Sequence, residues 1–228
     1  MERCNKSTEV FGDRVQRKVL IMESKIENIV VCGIGAAGAN VFMNLLYAYP
    51  NANFTVVDFD TIEDRNVSPG TQPYTKTDLN RPKTQALQRI AQMAKQKKIE
   101  TVNCKINTVD DIKALASATV GKSPETTLII DAFDNAESRN LFLKLGKKYN
   151  VLHVGFSAVL TGEAAWNEIY EPMTASKADG DIDVCEMAIA RPFIMALTGM
   201  ASIVVAQFMD SGVKTNMYFD KNLMVKKF

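Results

Sequence analysis

The chain has 228 residues, 46% hydrophobic and 23% charged, with 27 Lys plus Arg against 26 Asp plus Glu for a net charge of +1. That balance excludes a disordered chain, which cannot bury enough apolar surface to offset its conformational entropy, and it excludes collagen-like and low-complexity scaffolds. It also lacks the basic excess of a dedicated nucleic-acid binder, and the cluster Lys95, Lys97 and Lys98 reads as the solvated end of a helix.

Residues 1–17 are charged and carry no apolar core of a signal peptide, and residues 11–24 read as a short helix. Residues 27–32 (ENIVVC) form a compact strand that runs into glycine, and residues 36–49 a helix of small residues ended by Pro50. A second strand at 53–57 (NFTVV) ends in acids. Residues 60–74 hold Pro69, Gly70 and Pro73 and read as a loop. A helix follows at 79–98, with Pro82 tolerated in its first turn because the missing N–H is unpaired there anyway. A strand at 100–106, a helix at 110–119, a strand at 126–131 (TTLIID) and a helix at 135–149 continue the alternation. Residues 151–156 are a strand, and 162–170 pair beside it. A polar segment, 171–183, leads to a long helix at 184–211 whose uncharged part, 193–209, reads as a buried helix rather than a membrane span. Residues 216–228 read as a terminal hairpin turning at 220–222. Strands alternating with helices imply crossover units, a doubly wound, largely parallel α/β sheet with additional antiparallel strands, and a single domain over 1–228.

Gly33-Ile34-Gly35-Ala36-Ala37-Gly38 lies between a strand and a helix, the context in which G-x-G-x-x-G carries meaning. Gly33 allows a tight turn, Gly35 lets backbone N–H groups approach a phosphate, and Gly38 allows close helix–strand packing. The helix N-terminus adds roughly half a positive charge. Asp58, at the end of the second strand, can accept the ribose hydroxyls. Residues 25–170 are thus the expected nucleotide-binding core. The pattern fits two classes, an NAD-dependent oxidoreductase and an enzyme using the same half-site for ATP.

The run 57–66 (VDFDTIEDRN) resembles the D-x-D-x-x-x-x-x-N signature of the ThiF/MoeB/ubiquitin-activating-enzyme superfamily. Arg81-Pro82-Lys83 resembles its P-K step. Asp131-Ala132-Phe133-Asp134-Asn135, followed by Arg139, resembles its D-x-x-D-N…R motif. The resemblance covers roughly residues 11–170. It implies a Rossmann-like fold and ATP-dependent adenylation of a carboxylate, at the C-terminus of a ubiquitin-like or sulfur-carrier protein or of a peptide. By the same resemblance Gly33, Gly35, Gly38, Asn66 and Lys83 contact phosphate, Asp58 holds ribose and Asp134 holds Mg2+. Asp60 joins the nucleotide-binding set, and Asp60 and Glu63 also read as loop and helix-cap carboxylates. Family dimers imply a homodimer in which Arg14 or Arg17 reaches the partner's site. No zinc is expected, since Cys4, Cys32, Cys104 and Cys185 form no C-x-x-C pair.

The sequence departs from the family at 66–72 (NVSPGTQ), where Pro69 stands at the usual arginine position of N-x-x-R-Q. Arg65 or Arg81 would have to substitute. That departure keeps open a degenerate nucleotide-binding partner without adenylation activity. Cys185, after the polar segment, is a candidate for a thioester, although Asp181, Asp183 and Glu186 disfavour its thiolate. Cys32 and Cys104 read as core. His153, in an apolar strand, reads as a satisfied interior histidine, and Met195, Met200 and Met209 as helix packing. The expected setting is cytoplasmic and reducing, with no nucleic-acid or membrane partner.

Overall fold

A computed structural model describes residues 25–68, 70–118, 123–171 and 187–227. Its sheet has eight strands: β1 (Asn28–Cys32), β2 (Asn53–Val57), β3 (Glu100–Val102), β4 (Thr127–Asp131), β5 (Asn150–Phe156), β6 (Thr161–Trp166), β7 (Met217–Asp220) and β8 (Val225–Lys227). They lie in the order β3-β2-β1-β4-β5-β6-β7-β8. β1 to β5 pair in parallel and β6 to β8 extend the sheet antiparallel. The order reverses between β1 and β4, so a crevice opens at their carboxyl ends, the usual place for a ligand in such sheets.

The helices are α1 (Ala36–Ala48), the four-residue α2 (Asp64–Val67), α3 (Lys83–Lys95), α4 (Val109–Ala118), α5 (Ala136–Leu143) and α6 (Ala190–Ser211). Alternation along each strand sorts the core into two layers. Ile29, Val31, Phe54, Val56, Leu128, Ile130, Leu152 and Val154 pack with α1, α3 and α6. Val30, Cys32, Val57, Ile129 and Val151 pack with α4 and α5 on the other face. This is why the parallel strands read as continuous apolar runs, each side chain burying for about 1.5–3 kcal/mol.

α6 is long and apolar enough to cross a membrane by length and composition. Here its Phe193, Leu197, Ala201 and Val205 are buried against α1 and the sheet. Met209 is buried, and Met195 and Met200 pack on the same cluster. Pro192 sits in the first turn of α6, and Gly212, at φ +71°, stops it with its N–H on the Phe208 carbonyl.

Several boundaries differ from expectation. β3 ends at Val102 because it is an edge strand with one partner, so half-buried Cys104 lies beyond it. α3 begins at Lys83, not 79, because a 3₁₀ turn at Lys76–Asp78, capped by Thr75 and Asp78, holds the preceding residues. The expected helix at 135–149 ends at Leu143, and Gly146 at φ +59° starts a 3₁₀ turn. β6 ends at Trp166 rather than 170, and α6 starts at Ala190. The expected helix at 11–24 and nearly all of the segment 171–183 lie outside the described residues.

Candidate functional site

A cavity of about 390 Å³ opens at the carboxyl ends of β1, β2, β4 and β5. Gly33, Gly35, Asp58, Asp60, Asn66, Lys83 and Asp134 all line it. Four separate stretches of sequence therefore meet as the motifs implied. Gly38 does not line it. A Cβ there would lie 1.9 Å from the Gly33 carbonyl oxygen, so its hydrogen side chain lets α1 approach the loop. Gly33 has φ +78°, a conformation that glycine alone takes without strain, and its Cα faces the Ala132–Phe133 backbone.

Asp58 is 4% exposed. Its Oδ2 accepts from Ile34 N–H (2.8 Å) and its Oδ1 from Asp60 N–H (2.9 Å). Burial pushes its carboxyl up, against Lys83 and those two amides, which pull it down. A carboxylate has about four acceptor sites, so two remain for hydroxyls of a ligand. Lys83 is 7% exposed and donates from Nζ to Asp60 Oδ2 (2.8 Å). The backbone holds the same pair, through Lys83 N–H on the Asp60 carbonyl and an isolated bridge between Thr61 and Pro82. Lys83 is thus a built cation on the cavity wall rather than a solvated helix lysine.

Asn66 is buried, and its Oδ1 accepts from Glu63 N–H (2.9 Å) in a capping box over α2. Glu63 is a helix cap, as expected. The Asn66 amide NH2 remains for a ligand. Asn135 caps α5 by accepting from Ser138 N–H (2.8 Å), which leaves the exposed Asp134 carboxylate to the cavity. Among the described residues no three His, Cys, Asp or Glu converge as a metal cluster. Magnesium does not require one, since it is held by one or two carboxylates together with waters and substrate phosphates, and Asp134 fits that donor set.

The sequence reading did not assign roles to Phe59, Gln72, Phe133, Gly155 and Phe156, which also form the wall, and had named Arg139 only as part of a motif. Phe59 follows Asp58 and is half exposed. Gln72 ends the departing run 66–72, and its Oε1 is buried with no hydrogen-bond partner. Such an acceptor beside a cavity can take a hydrogen bond from a ligand there. Arg65 lines the cavity, with its Nε on Glu63 Oε2 (2.7 Å), whereas Arg81 does not. Of the two arginines that could stand in for the usual loop arginine, Arg65 is the one at the cavity. His153 is fully buried between Asp131 and Asn167, as an interior histidine should be. Arg14, Arg17, Pro69 and Cys185 lie outside the described residues.

The model of the ThiF family matches residues 6–220. A search of curated proteins found no match. Among solved structures, E. coli MccB aligns with a TM-score of 0.67 at 13% identity over 90% of this chain and 63% of that one. PaaA aligns with a TM-score of 0.65 at 16% identity, over 90% and 64% of the two chains. MccB has also been crystallised with ATP, and that structure aligns at 14% identity with a TM-score of 0.63, over 90% and 64%. The chain thus spans just under two thirds of the length of these neighbours, and at such identities they show its fold.

Proposed function

This chain belongs to the ThiF family, and from that premise we propose that it adenylates the C-terminal carboxylate of a peptide or small protein with ATP. One observation carries the reading. A glycine loop, a buried acid, a buried lysine and an unengaged carboxylate share one cavity at the switch point of the sheet. That set suits ribose, phosphates and a phosphate-bound cation. MccB crystallised with ATP and with MccA supports the nucleotide and a peptide-type acceptor. A ubiquitin-like or sulfur-carrier protein is the other acceptor of the right chemistry.

In the proposed reaction an acceptor carboxylate oxygen bonds to the α-phosphorus of ATP. The bond to the bridging oxygen breaks, and pyrophosphate leaves with the electron pair. Negative charge builds on the phosphoryl oxygens, where buried Lys83 would stabilise it and Arg65, on the cavity wall, would add a second positive charge. The Gly33–Gly35 backbone and the Asn66 amide orient the phosphates, and Asp58 orients the ribose. Magnesium bound through Asp134 would supply charge neutralisation at the leaving group. The proposal includes a reducing cytoplasmic setting, consistent with Cys32 and Cys104 being free, and a homodimer with Arg14 or Arg17 reaching across. The homodimer is supported by Tyr47 of α1 and Ile203 of α6, exposed on adjacent helices that carry no charge over 36–48 and 193–209.

A second reading, nucleotide binding without adenylation, is favoured by the neutral Gln72 on the wall of the departing segment. Both are tested by recovering the chain's bound acceptor from its own cells and adding ATP. An acceptor heavier by one AMP supports adenylation. Bound nucleotide with an unmodified acceptor and no pyrophosphate supports the second reading.

A further inference from the structure

Beneath the cavity lies a closed ring of buried polar groups that the proposed chemistry does not use. Asp131 ends β4 and His153 lies opposite it on β5, in register, and both are fully buried. His153 Nδ1 is 2.8 Å from Asp131 Oδ2, and its Nε2 is 2.9 Å from Asn167 Oδ1. The orientation of Asn167 follows from its Nδ2, which donates to the Gly146 carbonyl (3.2 Å). The oxygen of Asn167 therefore faces the ring, and Nε2 must carry a hydrogen. A further proton must sit between Nδ1 and Asp131, because two lone pairs cannot face each other at that distance in a buried site.

The other oxygen of Asp131 accepts from Phe133 N–H (3.2 Å), and the Phe133 carbonyl accepts from Arg139 Nε (2.6 Å). Arg139 is itself held by the Tyr170 hydroxyl (2.9 Å) and the Val154 carbonyl (2.9 Å). The Tyr170 ring stacks on His153 at 4.0 Å, closing the circuit. Glu163 lies 3.9 Å from Arg139 and Cys32 packs on the same face, so the groups surrounding the pair are accounted for from β1, α5 and β6. Gly155 leaves room for the guanidinium, since a Cβ there would lie 2.0 Å from its terminal nitrogen. The circuit grips both sides of residue 133, and the next residue is Asp134.

We propose that Asp131 and His153 are positioning residues which, sharing one proton, fix the Phe133 backbone and so hold the Asp134 carboxylate at the cavity. This rests on the reading of Asp134 as the ligand of magnesium-bound ATP. Neither side chain touches substrate. Asp131→Ala removes the grip on the Phe133 N–H, leaving only Arg139 on its carbonyl. Asp131→Asn preserves that grip, because the introduced amide donates to Nδ1 and its oxygen still accepts from Phe133 N–H.

The test uses the full, untagged chain, whose single histidine gives an unambiguous ring-nitrogen NMR spectrum. Affinity for the ATP analogue AMPCPP is measured by calorimetry with and without Mg2+. In the wild type, Nε2 is expected to carry a proton, the Phe133 amide to exchange slowly, and Mg2+ to strengthen binding at least tenfold. Asp131→Asn should keep that gain within threefold and move the histidine to a single ring proton on Nε2. Asp131→Ala should lose most of the gain. A full gain in Asp131→Ala overturns the positioning role while leaving the functional reading intact. Loss of the gain in Asp131→Asn also overturns it, pointing to Asp131 as a direct metal ligand. A wild type with no gain overturns the functional reading, and the positioning role with it. If Asp131→Ala does not fold, an unprotonated Nε2 or fast exchange at Phe133 in the wild type still overturns the proposal, and their opposites support it.

Discussion

Gly35 and Gly38 stand three residues apart, one capping α1 and the other in its first turn, yet adding one methyl group to each should have opposite consequences. At Gly35 an added Cβ meets nothing within 4 Å, and the position lines the cavity. Gly35→Ala should therefore change stability by no more than about 0.5 kcal/mol, the range typical of neutral surface changes. The methyl would occupy the space that phosphate needs. Overfilling a packed site costs about 1–3 kcal/mol, which corresponds to roughly 5- to 150-fold weaker ATP binding. At Gly38 the Cβ would lie 1.9 Å from the Gly33 oxygen and 3.1 Å from Ala132 Cβ. Ordinary contact is about 3.5 Å, so α1 would have to retreat by more than an ångström from a backbone atom that cannot rotate away. Gly38→Ala should cost upwards of about 3 kcal/mol of stability. Thermal melting and calorimetry with ATP and Mg2+ read both effects. Wild-type affinity in Gly35→Ala would show that phosphate does not approach this loop. An unchanged melting temperature in Gly38→Ala would refute the close-approach geometry itself.

Asp58→Ala should weaken ATP binding about tenfold or more, for the loss of charge-assisted bonds to ribose, and unchanged affinity would mean that the ribose is held elsewhere. Asp134→Asn should keep a near-normal melting temperature, because Asn135 rather than Asp134 caps α5. With a working acceptor it should lose about 10²–10³ in ATP–pyrophosphate exchange, whereas exchange within a few-fold of wild type would remove Asp134 from the chemistry. Burial would raise the Asp78 carboxyl, but bonds from Thr75 and Arg89 outweigh it and hold its pKa below the usual aspartate value. The stability it contributes is therefore present above that ordinary value and lost as pH falls through the lowered one. Arg89→Ala should lower stability by about 1–2 kcal/mol, screened because Arg89 is a third exposed, and should shrink the acid-dependent loss in melting temperature. An undiminished acid dependence would assign it to other carboxylates. Sedimentation at micromolar concentration should show twice the chain mass, and a fully active monomer would refute the homodimer.

β1, β2, β4 and β5 were legible because they bury both faces and so read as apolar runs, whereas β3 is a short, half-buried edge strand with a weaker pattern. The glycine loop and Asp58 stood out because each sits at a strand end whose position the alternation dictates, whereas Lys83 and Asp134 stood out only through the resemblance to the family's motifs. Element ends were less so. The 3₁₀ turn before α3 depends on Thr75 and Asp78 capping each other, a pairing that competes with the Pro82 signal. The grip on Phe133 was not legible, because Asp131, His153 and Asn167 meet only through strand register and the Asn167 side chain comes from beyond the end of β6. Gln72 was visible at the end of a quoted motif, but its orphaned oxygen is a property of the folded cavity.

The central claim is that this cavity takes magnesium-bound ATP through a single ribose-phosphate half-site. Calorimetry with ATP and Mg2+, and with NAD in parallel, tests it most directly. Binding of ATP that strengthens with Mg2+, and no comparable binding of NAD, is the predicted result. Tight NAD binding with no ATP binding would contradict it.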